Sequence, residues 1–253
     1  MKTLAVILHH NTPQYTDSLY ELLEPEQKSG NYNLLVMDNG SSSDKKSKYA
    51  SLEVNENVYF GGAMDILFRD ICTGECGDGE YDSLLFLNSD LIVGKNFVKS
   101  LRTEMTLLNM FDIISPCIIQ PEKTQNHWNQ MWSWGTDITR NVKWIDLQSP
   151  LISKRFIEYL NKNKTSENII DPLFLRGWGI DIWFGIMAEK AGFSTGVCDF
   201  VPAVHLGSAT LKVLGNTNEY CQLAEQGMYE FFNKNNLMNE FIGMRKWAEN
   251  YKV

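Results

Sequence analysis

Asn88-Ser89-Asp90 follows the apolar run Leu84 to Leu87, which places Asp90 at the C-terminal tip of a buried strand. A carboxylate there can meet a hard cation that carries phosphate oxygens. The plainer alternative is a solvated turn or helix cap, a common role for Asn, Ser and Asp. Asp38 ends a second apolar run, Asn33 to Met37, and can accept hydrogen bonds from a nucleobase or ribose, or close an Asx-turn. Gly61-Gly62 would let backbone approach a ligand, or would simply turn the chain into a helix. Gly177-Trp178-Gly179-Ile180-Asp181 precedes an apolar helix, so Asp181 falls in a first helical turn. His205 follows the strand-like run Phe200 to Val204. Trp128, Trp132, Trp134 and Trp144 crowd an otherwise polar segment, where indole faces can stack on the C–H faces of sugars.

Positioning these residues takes a sheet. Thr3 to Leu8 reads as a strand covered on both faces, and a helix follows on Leu19, Leu22 and Leu23. Strands then follow at Asn33 to Met37 and Ser83 to Leu87, with a third unit starting near Val54 and Val58 and a helix from Gly61 to Ile71. This βαβαβ alternation predicts an α/β fold with a mostly parallel central sheet flanked by helices. Such sheets bind ligands beyond the strand C-termini, where Asp38 and Asp90 both fall. A helix from Phe97 to Leu108 and a strand at Asp112 to Ser115 come next, and Gln120 to Trp144 reads as a loop or small hairpin. Helices from Glu219 to Asn233 and Met238 to Tyr251 form a C-terminal helical extension.

The net charge of −8 over 253 residues removes the usual driver for nucleic-acid binding. A phosphorylated ligand would need its charge offset locally, by a metal, helix-start amides or a few basic side chains. No run of about 18 apolar residues occurs, so no membrane span is expected. The N-terminal apolar run is short, Leu4 to Leu8, and is read as a strand rather than a leader. Five cysteines in no metal-binding spacing read as free thiols, and a cytoplasmic location is the expectation.

Six motifs in order give the sequence a resemblance: LAVILHHN at 4 to 11, VMDNGSSSD at 36 to 44, NVYFGGA at 57 to 63, LLFLNSD at 84 to 90, GWGID at 177 to 181 and HLGS at 205 to 208. Together they resemble family 2 glycosyltransferases of the GT-A fold, in particular the rhamnosyltransferase-like branch. The resemblance covers roughly Leu4 to Ser208. It implies a catalytic domain over 1–212, with the helical extension over 213–253 packed on it. It also implies an inverting, hexosyltransferase-type enzyme of polysaccharide biosynthesis that uses a UDP, dTDP or GDP sugar as donor and a glycan as acceptor.

Carried over residue by residue, Asp38 recognises the base, Asn57, Gly61 and Gly62 lie beside the nucleoside, and Ser89 and Asp90 meet the nucleotide. Asp90 matches the last carboxylate of the metal motif and His205 completes the shell around Mn²⁺ or Mg²⁺. Asn88 stands where the family usually has Asp, which leaves one acidic ligand. Asp181 matches the general base, with Ile180 in place of the usual Glu and Asp171 as the fallback. Trp132 or Trp134, with Trp178, would line the acceptor pocket. Arg176 either assists the leaving group or forms an exposed salt bridge. The alternatives are a sugar nucleotidyltransferase, which the first strand's His9-His10-Asn11 does not favour, and a non-catalytic carbohydrate-binding protein.

Overall fold

The computed structural model describes residues 1–30, 32–75, 80–108, 111–119, 127–207 and 215–252. Ser208 and the expected boundary at 212/213 lie outside them. Among the described residues nine strands form one sheet: β1 (Thr3–His9), β2 (Tyr32–Asn39), β3 (Ala50–Val54), β4 (Ser83–Asn88), β5 (Leu91–Val93), β6 (Ile113–Ile118), β7 (Thr139–Val142), β8 (Leu151–Ser153) and β9 (Thr195–His205). The order is β3-β2-β1-β4-β8-β6-β9-β5, with β7 paired to β9.

The longest pairings are parallel. β1 pairs with β2 from Thr3↔Tyr32 to His9↔Asp38, and with β4 from Thr3↔Ser83 to Leu8↔Asn88. Leu4, Ala5, Val6 and Ile7 are fully buried, because helices cover both faces of this part of the sheet. Helices α1 (Pro13–Ser29) and α3 (Phe97–Leu108) contact one another, as do α2 (Tyr59–Thr73) and α4 (Lys154–Lys162). Parallel pairing sends the C-terminal ends of β1, β2 and β4 to one edge, which becomes the crevice.

The other half is mixed. β8 is antiparallel to β4 and β6, and β5 is antiparallel to β9, with Leu91 opposite His205. β9 includes the strand-like run Phe200 to Val204 and extends it on both sides, from Thr195 to His205. It carries an irregularity against β6, where Pro116 pairs with Cys198 but the next residue, Cys117, pairs with Pro202. The extra length turns Asp199 inward, where Arg140 Nε and Nη2 both donate to its Oδ1 at 2.9 and 2.8 Å.

The remaining helices close the crevice. They are α5 (Ile180–Ala191), α6 (Thr217–Lys234) and α7 (Met238–Glu249). α7 packs on α5, and α6 packs on a 3-10 turn at Pro172–Phe174. A β-carbon on Gly227 would stand 2.2 Å from the Leu173 carbonyl oxygen, so only glycine allows α6 so close. Cys72, Cys117, Cys198 and Cys221 are free thiols. No helix among the described residues is long and apolar enough to cross a membrane.

Candidate active site

A cavity of about 600 Å³ opens at the C-terminal ends of β1, β2 and β4. Asn88, Ser89 and Asp90 line it, and so do Asp181 and His205. These residues are far apart in the chain, and the sheet topology brings them together.

One wall follows the ends of β1 and β2. His10 Nδ1 lies 2.8 Å from the Asn39 carbonyl oxygen, which can only accept, so Nδ1 carries a proton. Nε2 faces the Asn11 and Asn57 side-chain amides at 3.1 and 3.3 Å. The Asn11 oxygen accepts from the Ser42 N–H and the Asn57 oxygen accepts from the Tyr59 N–H, so each amide turns its NH₂ toward the imidazole. The network fixes the tautomer and locks His10, Asn57 and Tyr59 as a rigid polar wall. Asn39 ties into it by accepting from Val58 N–H at 2.9 Å and donating to the Tyr59 carbonyl at 3.2 Å.

Asp90 and His205 meet because β5 and β9 are antiparallel neighbours there: His205 Nε2 lies 3.1 Å from Asp90 Oδ1. Asp90 is 6% exposed, and the Leu206 N–H donates to its carbonyl. Ser89 Oγ sits 3.3 Å from Thr12 Oγ1.

Asp181 is delivered by the glycine loop before α5. Gly177 and Gly179 have φ of +92° and +87°, backbone that L side chains rarely adopt. A β-carbon on Gly179 would also stand 2.7 Å from Met228 Cγ. The two reversals leave Trp178 41% exposed at the cavity mouth and turn the chain into α5. Asp181 Oδ1 accepts the Ile182 N–H at 2.8 Å. Burial raises the Asp181 carboxyl to about 7, with the nearby Asp146 carboxylate adding to the shift. A carboxyl poised near neutrality in a cavity is suited to proton transfer.

A second wall comes from Trp128, Asp146 and Gln148, with Met228, Phe241 and Arg245 of the C-terminal helices, while Tyr220 of α6 meets Tyr59 of the first wall with ring centroids 5.9 Å apart. Gln148 Nε2 lies 2.6 Å from His127 Nδ1, and the His127 ring stands 5.6 Å from that of His205. Sequence reasoning missed most of this wall. The only available signals were the tryptophan cluster and the cationic residues in an acidic chain.

Several expected site residues lie elsewhere. Asp38 is the last but one residue of β2, but it is 1% exposed and closes an Asx-turn by accepting the Ser41 N–H at 2.8 Å, with His9 Nε2 3.7 Å away. Burial lowers the His9 imidazole. Gly61 serves packing rather than a ligand: a β-carbon there would stand 2.2 Å from the Phe174 carbonyl oxygen, and its N–H donates to Leu175. Gly62 packs on Val58 and Leu175 in the same way. Trp132 is buried in the core, and Trp134 lies 4.3 Å beneath the Arg140 guanidinium, beside Tyr251. Both belong to the cluster around Asp199, since Arg140 Nη2 also donates to the Trp132 carbonyl at 2.9 Å. Asp171, the fallback base, caps the turn at Pro172–Phe174 by accepting the Leu173 N–H and does not line the cavity. Arg176 forms no salt bridge with a described residue; it stands over Tyr59 at 5.0 Å and Tyr220 at 5.9 Å, and the Tyr220 hydroxyl donates to its carbonyl.

No family model matches the sequence, and no curated protein matches it. Among solved structures, GalNAc-T7 with UDP, GalNAc and Mn²⁺ superposes with a TM-score of 0.61 at 12% identity, over 81% of this chain and 44% of that one. The chain thus spans less than half of that protein's length. A197 from STIV gives 0.47 at 16% identity over 81% of this chain and 86% of that one. Glucosyl-3-phosphoglycerate synthase from Mycobacterium tuberculosis gives 0.43 at 16% identity, over 61% and 57%. These two scores are too low to argue from. The superposition on GalNAc-T7, with the sheet and its crevice, identifies the architecture of this chain as the GT-A fold.

Proposed function

We propose that the chain is an inverting, metal-dependent glycosyltransferase that moves a sugar from a nucleotide diphosphate sugar, of UDP or dTDP type, to a hydroxyl of a glycan acceptor. The motif order favours the rhamnosyltransferase-like branch of family 2. One observation carries the reading: Asp181, with its carboxyl raised to about 7, lines the same cavity as the Asp90–His205 pair.

In this mechanism Asp181 takes the proton of the acceptor hydroxyl. The oxygen attacks the anomeric carbon, and the bond to the diphosphate breaks with its electrons leaving on the diphosphate oxygen. Attack from the face opposite the leaving group inverts the anomeric configuration. Asp90 and His205 fit a divalent cation such as Mn²⁺ or Mg²⁺ as a partial donor set, one carboxylate and one imidazole, with substrate oxygens and water completing it. Among the described residues no group of three or more His, Cys, Asp or Glu could hold a metal ion, so the reading rests on the Asp90–His205 pair alone. When bound, the cation supplies positive charge that stabilises the departing diphosphate.

His10, Asn39, Asn57 and Tyr59 would face the nucleotide, with Ser89 at the floor and Arg176 near the diphosphate. Asp38 holds the turn that shapes this wall. Trp178 offers an aromatic face to a sugar ring. Residues 1–212 form the catalytic unit, and 213–253 form an extension that roofs it.

A thermal-shift screen of UDP, dTDP and GDP sugars with and without Mn²⁺ tests the reading. A matching donor at about 100 times its dissociation constant adds about 2.7 kcal/mol, roughly 5–10 °C at this size. Metal-dependent release of the nucleotide should follow. A non-catalytic sugar-binding protein would show neither response.

A further inference from the structure

Arg69, Arg140 and Arg155 form ion pairs with carboxylates among the described residues, whereas the two arginines of the cavity, Arg176 and Arg245, form none there. Two cations without carboxylate partners, in a cavity of a protein with net charge −8, call for anionic ligands. Arg176 has a use in the proposed reaction, since it stands over Tyr59 on the nucleotide wall. Arg245 stands on the other wall. Its guanidinium lies 5.6 Å from the Trp128 ring and 5.7 Å from the Phe241 ring. Trp128 packs edge-on against the fully buried Trp144, whose Nε1–H donates to the Met244 carbonyl, next to Arg245 in α7. The shelf beneath Arg245 is therefore rigid. None of the cavity's four carboxylates forms a salt bridge with Arg245. Asp90 meets His205, Asp146 lies near His127 and Gln148, Asp181 accepts the Ile182 N–H, and Glu225 forms no salt bridge with a described residue.

From this arrangement we infer that the acceptor carries an anionic group, a carboxylate or a phosphate, which Arg245 binds with its planar fork while Trp128 and Phe241 hold the guanidinium in place. The inference rests on the glycosyltransferase reading and narrows its acceptor to acidic sugars or phosphorylated acceptors.

The test compares transfer to three acceptors, p-nitrophenyl β-D-glucuronide, glucose 6-phosphate and p-nitrophenyl β-D-glucoside, by wild type, Arg245→Gln and Arg245→Lys. Wild type should favour one or both anionic acceptors, and which one it takes separates carboxylate from phosphate. Arg245→Gln should raise KM for the favoured anion at least tenfold, with kcat, glucoside KM and nucleotide-sugar affinity within twofold. Arg245→Lys, which keeps the charge and loses the fork, should fall between. No anion preference in wild type, an equal KM shift for all three acceptors, or a loss confined to nucleotide-sugar affinity would each overturn the assignment. If wild type consumes no nucleotide sugar, the transferase reading itself fails. Saturation-transfer NMR with methyl glucuronide and glucose 6-phosphate then decides the anion site, which requires a signal in wild type that Arg245→Gln loses.

Discussion

The two walls of the cavity are built by opposite means. The wall at His10, Asn39, Asn57 and Tyr59 sits where neighbouring parallel strands β1 and β2 end, and a network of amide and backbone hydrogen bonds locks it. The second wall is assembled from the 127–148 segment and from α6 and α7, which the chain reaches only near its end. It is held by aromatic packing, as where Trp128 meets Trp144, and by single long-range contacts such as Trp144 to Met244. A wall made by sheet topology suits a constant part of a substrate, whereas a wall made of loops and terminal helices suits the part that varies. The loop at Gly177 to Asp181 lies between them and serves both.

Four experiments would break or sharpen this contrast. The largest effect belongs to the residue between the walls. Asp181→Asn should lower the transfer rate by about 10²–10⁴-fold. Nucleotide affinity, a property of the other wall, should stay within twofold by titration calorimetry. Next come the tryptophans, which divide by place rather than by type. Trp132→Ala removes a buried core side chain and should cost about 3–5 kcal/mol in urea unfolding. Trp178→Ala, at an exposed ring on the cavity mouth, should leave stability within about 0.5 kcal/mol. It should raise acceptor KM by about 2–10-fold through the lost stacking. The fourth effect is thermodynamic. Because folding raises the Asp181 carboxyl, the native state holds its proton more tightly between about pH 4 and pH 7. Its contribution is present at low pH and lost as pH rises through about 7. Asp181→Asn should therefore melt roughly 10 °C higher than wild type at pH 8 and only about 2–4 °C higher at pH 4.5, by calorimetry.

The βαβαβ half was legible because its signals are local. Apolar runs such as Leu4 to Leu8 mark strands, and polar clusters such as Asn88-Ser89-Asp90 mark their ends. The helix expected near Phe97 to Leu108 is present over that span. The short strands β5, β7 and β8 were not legible, because three or four residues carry too little pattern and their pairing partners are distant. Asp90, Asp181 and His205 do converge on one cavity, as their motifs implied. Asp38 and the paired glycines show where such reasoning stops. Their types and positions suit a ligand equally well as an Asx-turn or a close helix approach, and only the neighbouring backbone separates the two. Trp132 and Trp134 fail for a related reason, since the β9 irregularity that turns Asp199 inward toward Arg140 leaves no mark in the local sequence.

The central claim is that a carboxyl raised to about 7 by the cavity takes the acceptor proton. Its most direct test is the pH dependence of kcat for wild type between pH 5 and 9, at saturating donor and Mn²⁺. The account predicts a limb rising about tenfold per pH unit below 7 and a plateau above it, with the limb absent from the residual activity of Asp181→Asn. A flat profile across that range, or an unchanged limb in Asp181→Asn, would contradict it.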